Sequence, residues 1–226
     1  MNFYSNKLNA SKYFNIINNY RSTFSKKFLI QNTSSFIGDT ALFKLICCYK
    51  VINKTKKVKG DIIEFGVWNG NNLLAIKKIL DFFKLNKRIF GFDHFKGMPS
   101  KIHDSKRNNF KGDVKLIKYF IKFFKLKKID LINDDILNIK KYLSKFKKLS
   151  LIYIDCDIYE TTKIILENLS SKLSKGGIIV FDEGNQKNNS GETKAMREFY
   201  KKNKKYYKRI LLKKGYQPDI CLEKVK

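Results

Sequence analysis

Two apolar runs in the second half of the chain end in paired acids: Leu151-Ile152-Tyr153-Ile154-Asp155-Cys156-Asp157 and Gly177-Ile178-Ile179-Val180-Phe181-Asp182-Glu183. Short apolar runs of this kind read as buried strands, and carboxylates at the tips of neighbouring parallel strands converge on one crevice. Anionic oxygens gathered there repel one another unless a hard cation such as Mg²⁺ neutralises them. Helix capping by Asp157 or turn formation by Asp182 accounts for either residue separately, but not for four acids at two tips. Residues two apart on a strand share a face, so Asp155 and Asp157 both reach the crevice if the strand runs through them.

A third acid-tipped run lies upstream, Asp61-Ile62-Ile63-Glu64-Phe65-Gly66-Val67-Trp68-Asn69-Gly70. Its glycines let the backbone approach a ligand closely, but the spacing is not the GxGxxG of a dinucleotide site, and Glu64 would repel phosphate. A cofactor with a cationic, amino-acid-like end fits better. The next run ends at Phe92-Asp93 and continues His94-Phe95-Lys96-Gly97-Met98-Pro99, placing Asp93 where a carboxylate accepts both ribose hydroxyls of a nucleoside. After Ile132-Asn133, either Asp134 or Asp135 meets an adenine amino group or caps the helix that follows. Trp68 is expected to pack in the core, Tyr159 to flank a cofactor or pack, and His94 and His103 to be inert loop residues.

The elements that must position these residues alternate. Strand-like runs at Asp61 to Phe65, Ile89 to Phe92, Ile129 to Ile132, Ser150 to Ile154 and Gly177 to Phe181 are separated by amphipathic stretches at Asn71 to Leu85, Val114 to Leu126, Leu137 to Phe146 and Thr161 to Leu173. That order predicts an α/β fold with a mostly parallel sheet. Tyr207 to Leu212 and Ile220 to Leu222, joined through Gly215 and Pro218, predict a terminal antiparallel hairpin. Residues 1–58 carry helical periodicity and read as a cap ahead of a domain spanning 59–226.

Composition narrows the function. The net charge is +28, yet 43 of the 48 basic residues are Lys and only five are Arg, spread along the chain without a designed patch. Specific nucleic-acid recognition favours Arg, so a solvated surface with non-specific polyanion binding is expected instead. Lys201 to Lys208 reads as a solvated helix end. The cysteines, Cys47, Cys48, Cys156 and Cys221, form no CxxC pair, and the chain has neither an apolar leader core nor 18 consecutive apolar residues. A cytoplasmic protein without a membrane span is expected. Homo-oligomerisation is left open.

In order and mutual spacing these segments resemble the macrocin O-methyltransferase family, whose members methylate sugar hydroxyls of macrolides, aminocoumarins and related glycosides. The resemblance is carried by the Glu64 to Gly70 turn, Gly91 to Pro99, Asp155 to Tyr159, Gly176 to Glu183, and Gly191-Glu192-Thr193-Lys194-Ala195 before Phe199, and it spans residues 58 to 225. It implies a Rossmann-like class I methyltransferase that uses S-adenosylmethionine on a small-molecule or glycan acceptor. By it, Glu64, Gly66 and Asp93 hold the cofactor; of the two acids after the strand-like run Ile129 to Ile132, Asp134 is taken as the adenine candidate on position alone. Asp155, Asp182 and Glu183 take the places of Mg²⁺ ligands, Asp157 matches the general base, and Ser100 to Asp113 matches a mobile lid. Glu183 departs from the family's usual second Asp. An alcohol is a poor nucleophile at neutral pH, which is why such chemistry calls for a carboxylate to remove the proton and a divalent ion to stabilise the developing oxyanion. Two rivals remain: a metal-independent methyltransferase with a nitrogen or carboxyl acceptor, and a non-catalytic, Lys-rich RNA-binding protein on the same fold.

Overall fold

The computed structural model describes residues 18–19, 25–98, 110–186, 191–213 and 215–226. Most of the expected lid, Ser100 to Asn109 with His103 inside it, lies outside the described residues.

Seven strands form one sheet: β1 (Asp61–Phe65), β2 (Ile89–Asp93), β3 (Ile129–Asn133), β4 (Leu149–Ile154), β5 (Leu173–Phe181), β6 (Tyr207–Leu211) and β7 (Ile220–Lys224). Their order is β3-β2-β1-β4-β5-β7-β6, with β1 to β5 parallel and β7 antiparallel to both of its neighbours. Two short helices, Lys26–Gln31 and Thr33–Phe36, precede α1 (Asp39–Thr55); α2 (Asn71–Phe82), α3 (Val114–Phe123), α4 (Tyr159–Leu169) and α5 (Gly191–Asn203) connect strands. The mostly parallel sheet, its terminal hairpin and the helices ahead of it are those expected from the alternation of patterns.

The central strands are continuous apolar runs because helices cover both faces of the sheet. Ile63, Phe65, Ile152, Ile154, Ile179 and Phe181 point into one core layer. Ile62, Leu151, Tyr153, Ile178 and Val180 point into the other, where Cys48, Val51 and Ile52 of α1 meet them.

Two expected elements differ. The β3–β4 connection is a 3₁₀ helix, Ile136–Lys145, capped by Asp135, whose carboxylate accepts from the Leu137 amide at 2.9 Å. Its three-residue repeat stacks Ile136, Ile139 and Tyr142 on the face toward the core, an arrangement that an α-helical reading of the same residues does not produce. The helix expected through Leu173 stops at Leu169, and Leu173 already pairs with Leu149 in the sheet. The strand expected from Gly177 begins earlier, at Leu173, and Gly176-Gly177 lies within it, where the register against β4 shifts. No helix among the described residues is long and apolar enough to cross a membrane.

Strand order reverses between β1 and β4, so the chain leaves their carboxyl ends in opposite directions and opens a crevice between them. The acids singled out from the sequence lie at or just beyond the carboxyl ends of the five parallel strands, on the side of the sheet where that crevice opens.

Candidate active site

The floor of the crevice is backbone. The Gly66 amide donates to the Phe92 carbonyl at 3.1 Å, the Asp155 amide to Phe65 at 3.0 Å, and the Asp182 amide to Ile154 at 2.9 Å, zipping the tips of β2, β1, β4 and β5 together. At Gly66, with φ +84°, a Cβ would stand 1.8 Å from the Asp155 carbonyl oxygen, so only glycine lets the two tips touch.

Glu64 lies on β1 beneath this turn and is almost wholly buried. Asn72, on the first turn of α2, donates from Nδ2 to Glu64 Oε1 at 3.1 Å, while the Cys48 thiol donates to Asn72 Oδ1 at 3.0 Å. Glu64 Oε2 is buried with no hydrogen-bond partner. Burial pushes this carboxyl up to about 8, and the Asn72 bond and the Lys44 charge only partly offset it. An acid held neutral with one oxygen unmatched is suited to a cationic donor, which would return it to its ionised form.

Asp93, at the tip of β2, accepts from the Trp68 amide at 2.8 Å on one oxygen and from the Phe95 amide at 2.7 Å on the other. It therefore fixes the β1–α2 turn against its own, and each oxygen retains lone-pair capacity for a hydroxyl. Asp134, beyond β3, accepts from Asn138 Nδ2 at 2.9 Å, the Asp135 amide at 2.7 Å and the Tyr142 hydroxyl at 2.8 Å. Those bonds hold its carboxyl below the usual range. Trp68 departs from the expected core position: the left-handed turn at φ +49° leaves it 45% exposed, with its ring edge-on to Phe110. Tyr159 donates to Glu198 on an exposed surface, and the His94 ring accepts from the Lys96 amide.

The acids of β4 and β5 meet a partner that no local pattern announces. Lys44 of α1 places its Nζ 2.8 Å from Asp155 Oδ2 and 2.9 Å from Asp182 Oδ1, and the Tyr153 hydroxyl adds a bond to Asp182 Oδ1 at 2.9 Å. Burial alone would lower the Lys44 pKa, but the charges of Asp155 and Asp182 outweigh it and hold the ammonium well above its ordinary value. Burial and then the Asp182 charge raise Asp155 to about 7 against the pull of Lys44. Glu183 is engaged elsewhere: its Oε1 accepts from Gln217 Nε2 at 2.7 Å. Burial raises its pKa, with the charge of Asp182 second.

These residues do not fit the Mg²⁺ site implied for Asp155, Asp182 and Glu183. A divalent ion needs several converging oxygens, whereas here an ammonium already bridges the first two carboxylates and the third is tied to an amide. No group of three His, Cys, Asp or Glu side chains among the described residues is placed to hold a metal ion.

Asp157 does not continue the strand. β4 ends at Ile154 and Asp157 has φ +60°, so the shared-face argument for Asp155 and Asp157 stops short of it. Its amide is held by Glu192 of α5, a residue the sequence marked only as part of a resembling stretch. Glu192 is fully buried; its Oε2 accepts from the amides of Cys156 at 3.2 Å and Asp157 at 3.4 Å, and its Oε1 from the amide of Glu183 at 2.9 Å. One carboxyl thus clamps both acid-bearing loops. Burial, followed by the Asp157 charge, drives its pKa well up. The four thiols are buried and unpaired with one another.

A family model described as macrocin-O-methyltransferase (TylF) matches residues 9–210. The chain is 27% identical over 139 residues to the 8-demethyl-8-(2,3-dimethoxy-alpha-L-rhamnosyl)-tetracenomycin-C 4'-O-methyltransferase of Streptomyces olivaceus, covering 56% of this chain and 53% of that protein. It therefore spans about half the length of the curated relative it matches. Among solved structures, the apo form of CalS11, a TDP-rhamnose 3'-O-methyltransferase of calicheamicin biosynthesis, superposes with a TM-score of 0.71 at 24% identity, covering 94% of this chain and 91% of that one. An O-methyltransferase from Bacillus cereus in complex with SAH superposes with a TM-score of 0.58 at 12% identity, covering 89% and 90%. These likenesses show the fold.

Proposed function

The chain belongs to the macrocin O-methyltransferase family, and from that premise we propose that it transfers a methyl group from S-adenosylmethionine to a hydroxyl of a sugar or glycosylated metabolite. The cofactor assignment is supported above all by the orphaned, buried Oε2 of Glu64 beneath a glycine turn that presses on the neighbouring strand tip. In this reading Glu64, Gly66 and Asp93 line the cofactor crevice, and Asp134 borders its adenine end. Residues 59–226 form the catalytic domain, and the 1–58 cap supplies Lys44.

S-adenosylmethionine supplies a methyl group activated on a sulfonium sulfur. The chain's own task is to bind it, orient the acceptor and remove one proton. Asp157 is the proposed proton acceptor, held in its loop by the Glu192 clamp on its amide. Lys44 supplies the positive charge beside the acids, and no step is routed through a metal ion. A rhamnosyl acceptor is favoured by the likeness to the Streptomyces relative and to CalS11, both of which are named for rhamnosyl substrates.

The test is transfer of a labelled methyl group to TDP-rhamnose and to rhamnosylated glycosides, read by mass spectrometry. A single added methyl on a sugar oxygen is expected. Saturable cofactor binding without transfer to any sugar would refute the acceptor class while leaving the cofactor reading intact.

A further inference from the structure

Helix α3 turns two apolar surfaces outward from one axis. Ile117 is fully buried, with Val114 and Ile121 packed beside it against the core. A second stripe at the i, i+3, i+7 spacing, formed by Leu116, Tyr119 and Phe123, faces solvent, with Tyr119 59% and Phe123 63% exposed. The rings of Tyr119 and Phe123 stack at 5.9 Å, and Phe123 meets exposed Phe124 at 5.0 Å. Lys78 of α2 covers the Phe124 ring at 3.8 Å, and one turn further along α2 Phe82 is 76% exposed. Exposed apolar residues scattered singly need no explanation, but a connected aromatic patch marks a contact surface.

The charged residues of α3 are all cationic. Lys115, Lys118 and Lys122 are exposed, exposed Lys125 follows just beyond the helix, and no acid occurs between Val114 and Lys128. The face also leads toward the crevice. The Asp113 amide at the start of α3 donates to Asn69 of the β1–α2 turn at 3.0 Å, and exposed Trp68 and Phe110 touch there.

We propose that this face is a docking surface for an anionic lipid bilayer, on which α3 lies in the interfacial plane with its aromatic stripe in the headgroup region and its lysines against lipid phosphates. Aromatic and leucine side chains beside a purely basic face are the composition of an interfacial helix. Charge complementarity selects the occupant. A second copy would press one lysine rim against another on a chain of net charge +28, whereas an anionic leaflet neutralises that rim. Bound in this way, the crevice mouth at Trp68 is brought close to the membrane surface.

The experiment is flotation of the full chain with vesicles of phosphatidylcholine alone or mixed with phosphatidylglycerol, at low and raised salt. Wild type should float only with phosphatidylglycerol vesicles, and a bound fraction should persist at raised salt. Tyr119→Ser with Phe123→Ser, both at exposed positions and checked for an unchanged melting temperature, should cut vesicle partition roughly tenfold or more, the factor expected for losing inserted aromatic area. Lys118→Glu with Lys122→Glu should abolish binding at low salt. Unchanged partition of the aromatic variant would mean diffuse adsorption by net charge and would overturn the proposal. So would a dimer in solution that the aromatic substitutions dissociate, since the face would then belong to a second copy.

Discussion

Replacing Lys44 with methionine removes a cation that touches both Asp155 and Asp182 while keeping most of the side chain's volume. Removing one partner from a buried ion pair costs about 3–5 kcal/mol because the other charge is left unmatched. The Lys44 and Asp155 side chains are 23% and 26% exposed and that of Asp182 only 5%, so water screens part of the loss. A cost of about 2–3 kcal/mol is expected, or a fall of roughly 4–12 °C in Tm for a chain of this size. The cost should depend on pH in a definite direction. The folded-state pKa of Asp155, about 7, lies above the ordinary aspartate value near 3.9, so the folded state holds this proton more tightly and the carboxyl erodes stability as pH rises between those values. Lys44 opposes that rise. Without it the folded-state pKa climbs further, so the penalty of Lys44→Met should be larger at about pH 8 than at about pH 5, where Asp155 is protonated in both proteins. Urea unfolding of both proteins at the two pH values measures it. A loss below about 0.5 kcal/mol, the scale of an exposed ion pair, or an equal loss at both pH values, would refute the reasoning.

Asp157→Asn should leave S-adenosylhomocysteine affinity unchanged and lower single-turnover methyl transfer by roughly 10²- to 10⁴-fold, the range for loss of a general base; unchanged turnover would remove Asp157 from the chemistry. Asp93→Ala should weaken cofactor binding by about 1.5–3 kcal/mol in calorimetry and also lower Tm, because the Trp68 and Phe95 amides lose their acceptor. Glu192→Gln should destabilise the fold by about 1–3 kcal/mol in denaturant titration, since an amide group then faces the backbone donors of both loops. With Lys44 in place, excess chelator should change turnover by less than about twofold, and Mn²⁺ should show no saturable binding below about millimolar concentration; tight binding abolished by Asp155→Asn would restore a metal to the mechanism.

What could be read from the sequence was whatever is local in the chain. The turn from Glu64 through Gly66 to Gly70 carries its meaning in adjacent residues, because a glycine with φ +84° must follow directly on the strand that ends there. The acid at each strand tip was readable for the same reason, and so was the approach of the Asp155 and Asp182 tips to one another. Lys44 was not, because it is one of 48 basic residues and meets Asp155 across 111 positions, so nothing beside it distinguishes it from a solvated lysine. The metal expectation failed to fit for that reason: acids judged without their distant cation look as though they need one. Glu192 was hidden likewise, since its value lies in three amides on two other loops. Trp68 was misplaced because its type favours the core, while the positive φ that carries it outward follows from the turn it occupies.

The central claim, that the crevice between β1 and β4 holds S-adenosylmethionine, is tested most directly by calorimetric titration of S-adenosylhomocysteine into the full chain, paired with its melting temperature. One saturable site is predicted. At one hundred times the Kd, stability should rise by about 2.7 kcal/mol, a shift of roughly 5–11 °C in Tm. No heat of binding and an unmoved melting temperature at high ligand would contradict the account.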